Sequence, residues 1–228
     1  MPSEHDGHRK RLKARFIKSG LDDFEPHNLL ELVLFYGVPR KDTNPLAHRL
    51  MERFGSLSGV FDARIEDLVK VDGITENTAV LITMIPQIAR RYLEDKTDVV
   101  NIVESSTDIG AYFMPKFVGR KIETVMLAAL DNKNKITACS IVAEGENDRA
   151  SVSRRKVMEE AIRMNATKVV IAHNHPNGFA VPSVEDVYLT EELYSLLRSV
   201  GIELVDHVIF AEDDFVSRAA SGIDFRKK

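Results

Sequence analysis

The sequence holds a single cysteine, Cys139, among 228 residues. One thiol cannot build a disulfide framework or a cysteine-rich zinc knuckle. It also excludes base deamination, whose zinc site draws on several cysteine ligands. Tryptophan is absent, which removes one common stacking platform for single-stranded nucleic acid. An excess of positive charge is missing as well. There are 31 Lys and Arg against 35 Asp and Glu, for a formal charge of -4 and a pI near 6.0. Such a balance gives no global attraction to nucleic acid or to an anionic membrane. No apolar run approaches the roughly 18 residues of a membrane span. The polar residues 1–8 lack a signal-peptide core. Together these absences predict a cytoplasmic chain with no membrane partner. The remaining composition, 44% hydrophobic, is ordinary and sufficient for a core. The length allows one large domain or two small ones.

Two textures divide the chain. Residues 1 to about 94 read as helical. Residues 9–18 form a basic amphipathic stretch with Leu12, Phe16 and Ile17 on one side. Residues 27–36 are apolar enough for a buried helix. Asn44-Pro45 predicts a helix start, since proline fits the first helical position, and Gly55 predicts its stop. Residues 80–93 predict a further helix, interrupted or kinked at Pro86. Residues 68–79, centred on Gly73, resemble the helix-hairpin-helix motif, whose turn offers backbone N–H groups to a phosphate. Thr75 stands where a second glycine is usual, and Glu76 adds negative charge beside the phosphate position. The alternative is a packing turn. The local basic cluster is Arg9, Lys10, Arg11, Lys13, Arg15 and Lys18. It is expected to supply much of a weak DNA affinity in residues 1–95, or else to be a solvated face.

Residues 95–104 read as a linker that becomes extended. Beyond it, residues 106–117 predict a helix. Residues 124–130 and 135–142 predict strands joined by a turn at 131–134. Then come a helix over 152–165, a strand over 169–172, a helix over 183–199, a strand over 202–210, a turn at Asp213-Asp214 and a last short strand. Strands and helices interleave, which predicts an α/β sandwich.

The chemistry concentrates at the end of the 169–172 strand. His173 and His175 are two residues apart, so in a strand they project from the same face. Residues 176–182 read as a loop by their Pro, Asn and Gly content. Ser183 then opens a helix, with Asp186 in its first turn. Two imidazoles and one carboxylate leave a fourth zinc position open, the pattern of a catalytic site. Ser183-x-x-Asp186 is also the spacing of a capping box, and both readings stand at this point.

With those residues in view, nearly the whole chain resembles the RadC family, also called UPF0758. In the first half the likeness rests on Leu34-Phe35-Tyr36-Gly37, Phe54-Gly55-Ser56-Leu57 and Val71-Asp72-Gly73-Ile74. In the second it rests on Leu130-Asp131-Asn132-Lys133-Asn134, His173-Asn174-His175-Pro176, Pro182-Ser183, Asp186 and Asp206-His207. The resemblance implies an α+β chain of two domains. A small all-α helix-hairpin-helix-like domain over residues 1–95 would precede a sandwich of the JAMM/MPN, cytidine-deaminase-like type over residues 103–228.

The JAMM pattern is a Glu on an early strand, then His-x-His, seven residues and Ser-x-x-Asp. It implies that His173, His175 and Asp186 hold Zn²⁺. It implies that Glu123 takes the proton of the attacking water, with Glu144 and Glu146 as competing positions. Ser183 would donate to the oxyanion, and Asn174 and His207 are supporting candidates. The sequence departs from the family at Ser153-Arg154-Arg155-Lys156 and at Asn177-Gly178-Phe179-Ala180-Val181, which bears on substrate choice. The implied activity is zinc-dependent hydrolysis of a peptide or isopeptide, in a family whose name links it with DNA repair. The alternatives are a metal-dependent nuclease and a non-catalytic accessory protein of DNA repair or recombination.

Overall fold

The computed structural model describes residues 4–39, 41–97, 102–145, 153–176 and 178–221. Internal packing divides the chain into two units, Met1–Ile88 and Ala89–Lys228. The first is built from α1 (Glu4–Ser19), α2 (Pro26–Gly37), α3 (Asn44–Phe54), α4 (Leu57–Asp62), α5 (Ile65–Leu68) and the start of α6 (Glu76–Thr97). Pro26 sits in the first turn of α2, where its missing N–H costs no intrahelical bond. Leu30 and Leu34 of α2, four residues apart and so on one face, are fully buried among Leu46, Leu50, Val60 and Ile82. Gly55 ends α3 at φ 79°, a conformation glycine adopts without steric penalty.

Three features from α4 to the end of α6 differ from the sequence expectation. The helices α4 and α5, of 6 and 4 residues, were not foreseen. They are too short to show a 3.6-residue period. The helix α6 starts earlier, at Glu76, and continues through Pro86 without interruption. A proline removes one backbone hydrogen bond from a helix, and the flanking turns carry this one across. Residues 95–97, read as linker, belong to the end of α6. Residues 98–101 of that stretch lie outside the described ones.

The second unit adds α7 (Ser106–Phe117), β1 (Thr124–Leu130), β2 (Ile136–Glu144), α8 (Arg154–Arg163), β3 (Lys168–Asn174), α9 (Val184–Ser199), β4 (Glu203–Ala211) and β5 (Asp214–Ser217). The five strands form one sheet in the order β2-β1-β3-β4-β5. β1 is antiparallel to both neighbours, β3 and β4 are parallel, and β5 is antiparallel to β4. The parallel pair requires a crossover, which α9 provides. The hairpin between β1 and β2 is set by Asp131, whose carboxylate accepts from the backbone N–H of Lys133 at 2.8 Å and Lys135 at 2.9 Å. Asn134 takes the positive φ, 60°, that the turn needs.

All seven residues of β1 are buried, because helices cover both sheet faces. Alternate residues serve each face. Met126, Ala128, Val170 and Ala172 pack with Phe113 and Phe117 of α7. Val125, Leu127, Val169 and Ile171 pack with Val157 of α8 and Leu193 of α9. His173 shares the parity of Val169 and Ile171. It therefore points to the side of the sheet on which α9 lies. That placement follows from the two-residue repeat of a strand. The whole is α+β, with a helical first unit and a mixed sheet sandwiched by helices in the second.

Candidate metal centre

The end of β3 and the start of α9 bring three side chains together. His173 and His175 approach through their Nε2 atoms, 2.9 Å apart. Asp186 Oδ1 lies 3.3 Å from His173 Nε2, and Oδ2 lies 3.5 Å from His175 Nε2. Among the described residues this is the group of His, Cys, Asp and Glu side chains that could hold a metal ion, its donor atoms all within 4.8 Å of one another. Tetrahedral zinc with ligands at ~2.0–2.1 Å separates donor atoms by about 3.3 Å. The two His–Asp distances match that edge. The His–His distance is shorter, at 2.9 Å. The donor set, two imidazoles and a carboxylate, therefore fits zinc.

Electrostatics supports the grouping. The hydrogen bond to Asp186 raises the His175 pKa, against the effect of partial burial. Burial works to raise the Asp186 carboxyl, but the two histidines outweigh it and hold it far below the usual carboxylate range.

Asp186 also caps its own helix. Ser183 Oγ accepts from the Asp186 N–H at 3.1 Å, and Asp186 Oδ2 accepts from the Ser183 backbone N–H at 2.8 Å and hydroxyl at 2.6 Å. The capping box is formed, and the carboxylate that completes it is the one beside the histidines. The two readings of Ser183-x-x-Asp186 are thus one structure.

A cavity of about 290 Å³ opens at this point, lined by Glu123, His175, Ser183, Glu185 and Asp186 among others. Glu185 was not singled out from sequence, where it looked like an ordinary first-turn acid. Glu123 and Glu144 part company here. Glu144 pairs with Arg120 at 2.6 Å. Glu123 faces the cavity. Glu146 and Asn177 lie outside the described residues.

Asn174 fixes the backbone on both sides of Glu123. Its Oδ1 accepts from the Thr124 N–H at 2.8 Å, and its Nδ2 donates to the Ile122 carbonyl at 3.3 Å. The clamp joins residues 50 positions apart and registers the end of β1 against the end of β3. His175 is held by its Nδ1, 3.1 Å from the Phe179 carbonyl. His173 Nδ1 lies 2.9 Å from His207 Nε2, and His207 Nδ1 lies 2.6 Å from Thr190 Oγ1. Burial, reinforced by His173, holds the His207 pKa well below its usual value. Asp206 turns to another task. It accepts from the backbone of His207 and Ala219 and from the Ser217 hydroxyl, tying β4 to the end of β5.

In the first unit the basic helix is less available than its composition implied. The Arg9 guanidinium stacks 4.7 Å over the Phe35 ring and donates to the carbonyls of Phe35, Val38 and Lys41. At the Gly73 turn, where φ is 93°, the Thr78 N–H donates to Thr75 Oγ1 at 3.3 Å. Thr75 so satisfies one of the free N–H groups at the start of α6.

The family described as the RadC-like JAB domain matches residues 103–223. A UPF0758 protein of Fusobacterium nucleatum is 30% identical over 227 residues, covering 96% of this chain and 98% of its own length. One of Ruegeria pomeroyi is 32% identical over 222 residues, covering 97% and 99%. One of Carboxydothermus hydrogenoformans is 33% identical over 214 residues, covering 92% and 93%. Among the described residues no helix is long and apolar enough to cross a membrane.

Proposed function

The chain belongs to the RadC family, and from that membership and the site geometry we propose that it is a zinc-dependent hydrolase of amide or isopeptide bonds. The observation that carries the reading is a carboxylate not needed as a ligand, Glu123, lining the same cavity as His175 and Asp186. Bound zinc would polarise the scissile carbonyl and acidify a water. His173, His175 and Asp186 hold the ion. Glu123 takes the proton of the attacking water and passes it to the leaving amine. Asn174 keeps that carboxylate in place through its two backbone contacts. Ser183 turns its hydroxyl from Asp186 to the oxyanion, a donor worth about 3 kcal/mol in such roles. The full chain loaded with zinc, tested in parallel on peptide and isopeptide libraries and on branched DNA, decides the matter. Amide cleavage supports the reading, and cleavage of DNA alone overturns it.

The rim of the cavity carries the substrate preference. Phe179 is 84% exposed, yet its carbonyl faces a histidine of the ligand set. We propose that this exposed ring, whose chain neighbour Gly178 lines the cavity, meets an apolar side chain of the substrate. Phe179→Ala is expected to raise KM about tenfold, within the few kcal/mol that a buried aromatic contributes, and to leave kcat and zinc content near wild type. A fall in kcat with KM unchanged would place Phe179 elsewhere in the cycle.

For nucleic acid we propose weak binding only. Arg9 is occupied by three carbonyls and the Gly73 turn is capped by Thr75. Few phosphate contacts remain, and each contributes a slope of about -0.9 in log K against log salt. Fluorescence anisotropy of the full chain on duplex and branched DNA should give micromolar or weaker affinity with a shallow salt dependence. Nanomolar binding would overturn this.

A further inference from the structure

The buried pair of Thr190 and His207 belongs to neither the ligand set nor the proposed proton transfer. Both side chains are almost fully buried, at 0% and 1% exposure. Such groups are rarely retained in a core without satisfying one another, and here their hydrogen bonds have a direction that can be read.

The reading starts at Asp186. Thr190 Oγ1 lies 2.5 Å from the Asp186 backbone carbonyl, one turn back along α9. A carbonyl only accepts, so the threonine hydroxyl donates its one proton there. The oxygen then faces His207 Nδ1 with a lone pair, at 2.6 Å. His207 Nδ1 must carry the proton and donate. The His207 ring is buried and its nitrogens face Thr190 and His173 rather than a carboxylate that would hold a second proton, so it carries one N–H and its Nε2 is an acceptor. It faces His173 Nδ1 at 2.9 Å. His173 Nδ1 must therefore carry its proton, which leaves His173 Nε2 bare and aimed at His175 and Asp186.

We propose that Thr190 and His207 are positioning residues that lock His173 in its Nδ1-protonated tautomer and so present its Nε2 lone pair to a divalent cation. The chain of contacts begins and ends on Asp186. Its backbone carbonyl sets the tautomer of His173, and its carboxylate sits beside the nitrogen thereby freed. His175 reaches the same state more simply, since its Nδ1 faces the Phe179 carbonyl. Both histidines thus offer the same ring nitrogen. This rests on the metal reading of the site, and it deepens it by naming what holds the ligand ring.

The test separates the two. Histidine side-chain ¹⁵N–¹H spectra of the full chain, metal-free, report the tautomers of His173 and His207 without reference to any metal. Protons on Nδ1 of both rings are expected. A proton on Nε2 of His173 would overturn the relay. Zinc affinity, by competition with a chromophoric chelator, is then compared among wild type, Thr190→Val and Thr190→Ser. Valine has nearly the shape of threonine but no acceptor. It should lower zinc affinity 10–100-fold, the usual cost of losing an outer partner of a ligand. Serine restores the hydroxyl and should stay within about threefold of wild type on the same grounds. Equal affinity in wild type and a folded Thr190→Val protein would overturn the proposal. Wild type that takes up no zinc but shows both Nδ1 protons would refute the metal reading and leave the relay standing.

Discussion

Replacing His175 with alanine is expected to strip the protein of most of its zinc. The substitution removes one of three donors and leaves His173 and Asp186 with two open positions between them. A supporting partner alone is worth 10–100-fold in affinity, so loss of a direct ligand should cost more than that. Elemental analysis of the purified full chain is the measurement, with about one zinc per wild-type chain. Equal metal in wild type and variant would remove the site from this part of the fold. The same residue gives the pH dependence its sign. Zinc needs the neutral ring, whereas the bond to Asp186 favours the charged one and raises its pKa. Protons therefore compete at a higher pH than for an isolated imidazole, and metal content should fall as pH drops through that raised value.

Glu123→Gln is expected to separate binding from turnover. Glu123 is not among the clustered donors, so zinc should remain near one per chain. Hydrolysis should fall by ~10²–10⁴, the contribution typical of a positioned general base. Glu144→Gln should stay within a few-fold on the same reasoning, because Arg120 already holds that carboxylate at 2.6 Å. Activity that survives Glu123→Gln and is lost in Glu144→Gln would move the base to β2.

The clustering of His173, His175 and Asp186 could be read from the sequence because each part of it is local. A strand's two-residue repeat puts His173 and His175 on one face, and a capping spacing puts Asp186 in the first turn of α9. The strands around them were legible for the same reason, since their apolar runs lie between clear turn residues such as Asp131 and Asn134. Asn174 and His207 could be named as supporting candidates, but what they reach was not legible. Asn174 reaches Thr124 across 50 positions, and Thr190 reaches His207 across 17. No periodicity records such contacts, and Thr190 looks from sequence like any polar residue in a helix. The basic helix misled in the opposite direction. Arg9 looked like surface charge, but three carbonyls and an aromatic ring take up its guanidinium. The short α4 and α5 carry too few residues for a pattern to emerge.

The capping box on α9 has a further consequence for how tightly an ion can be held. A flexible carboxylate loses about 1–2 kcal/mol of rotamer freedom when it is pinned. In this protein the Asp186 side chain is pinned by two hydrogen bonds to Ser183 as the helix forms. That entropy is lost at folding and not again on metal uptake. Asp186 is therefore preorganised, and an ion bound as proposed would meet a ligand already in place. The stability of one helix turn and the affinity of the proposed metal centre would in this way be drawn from the same pair of hydrogen bonds.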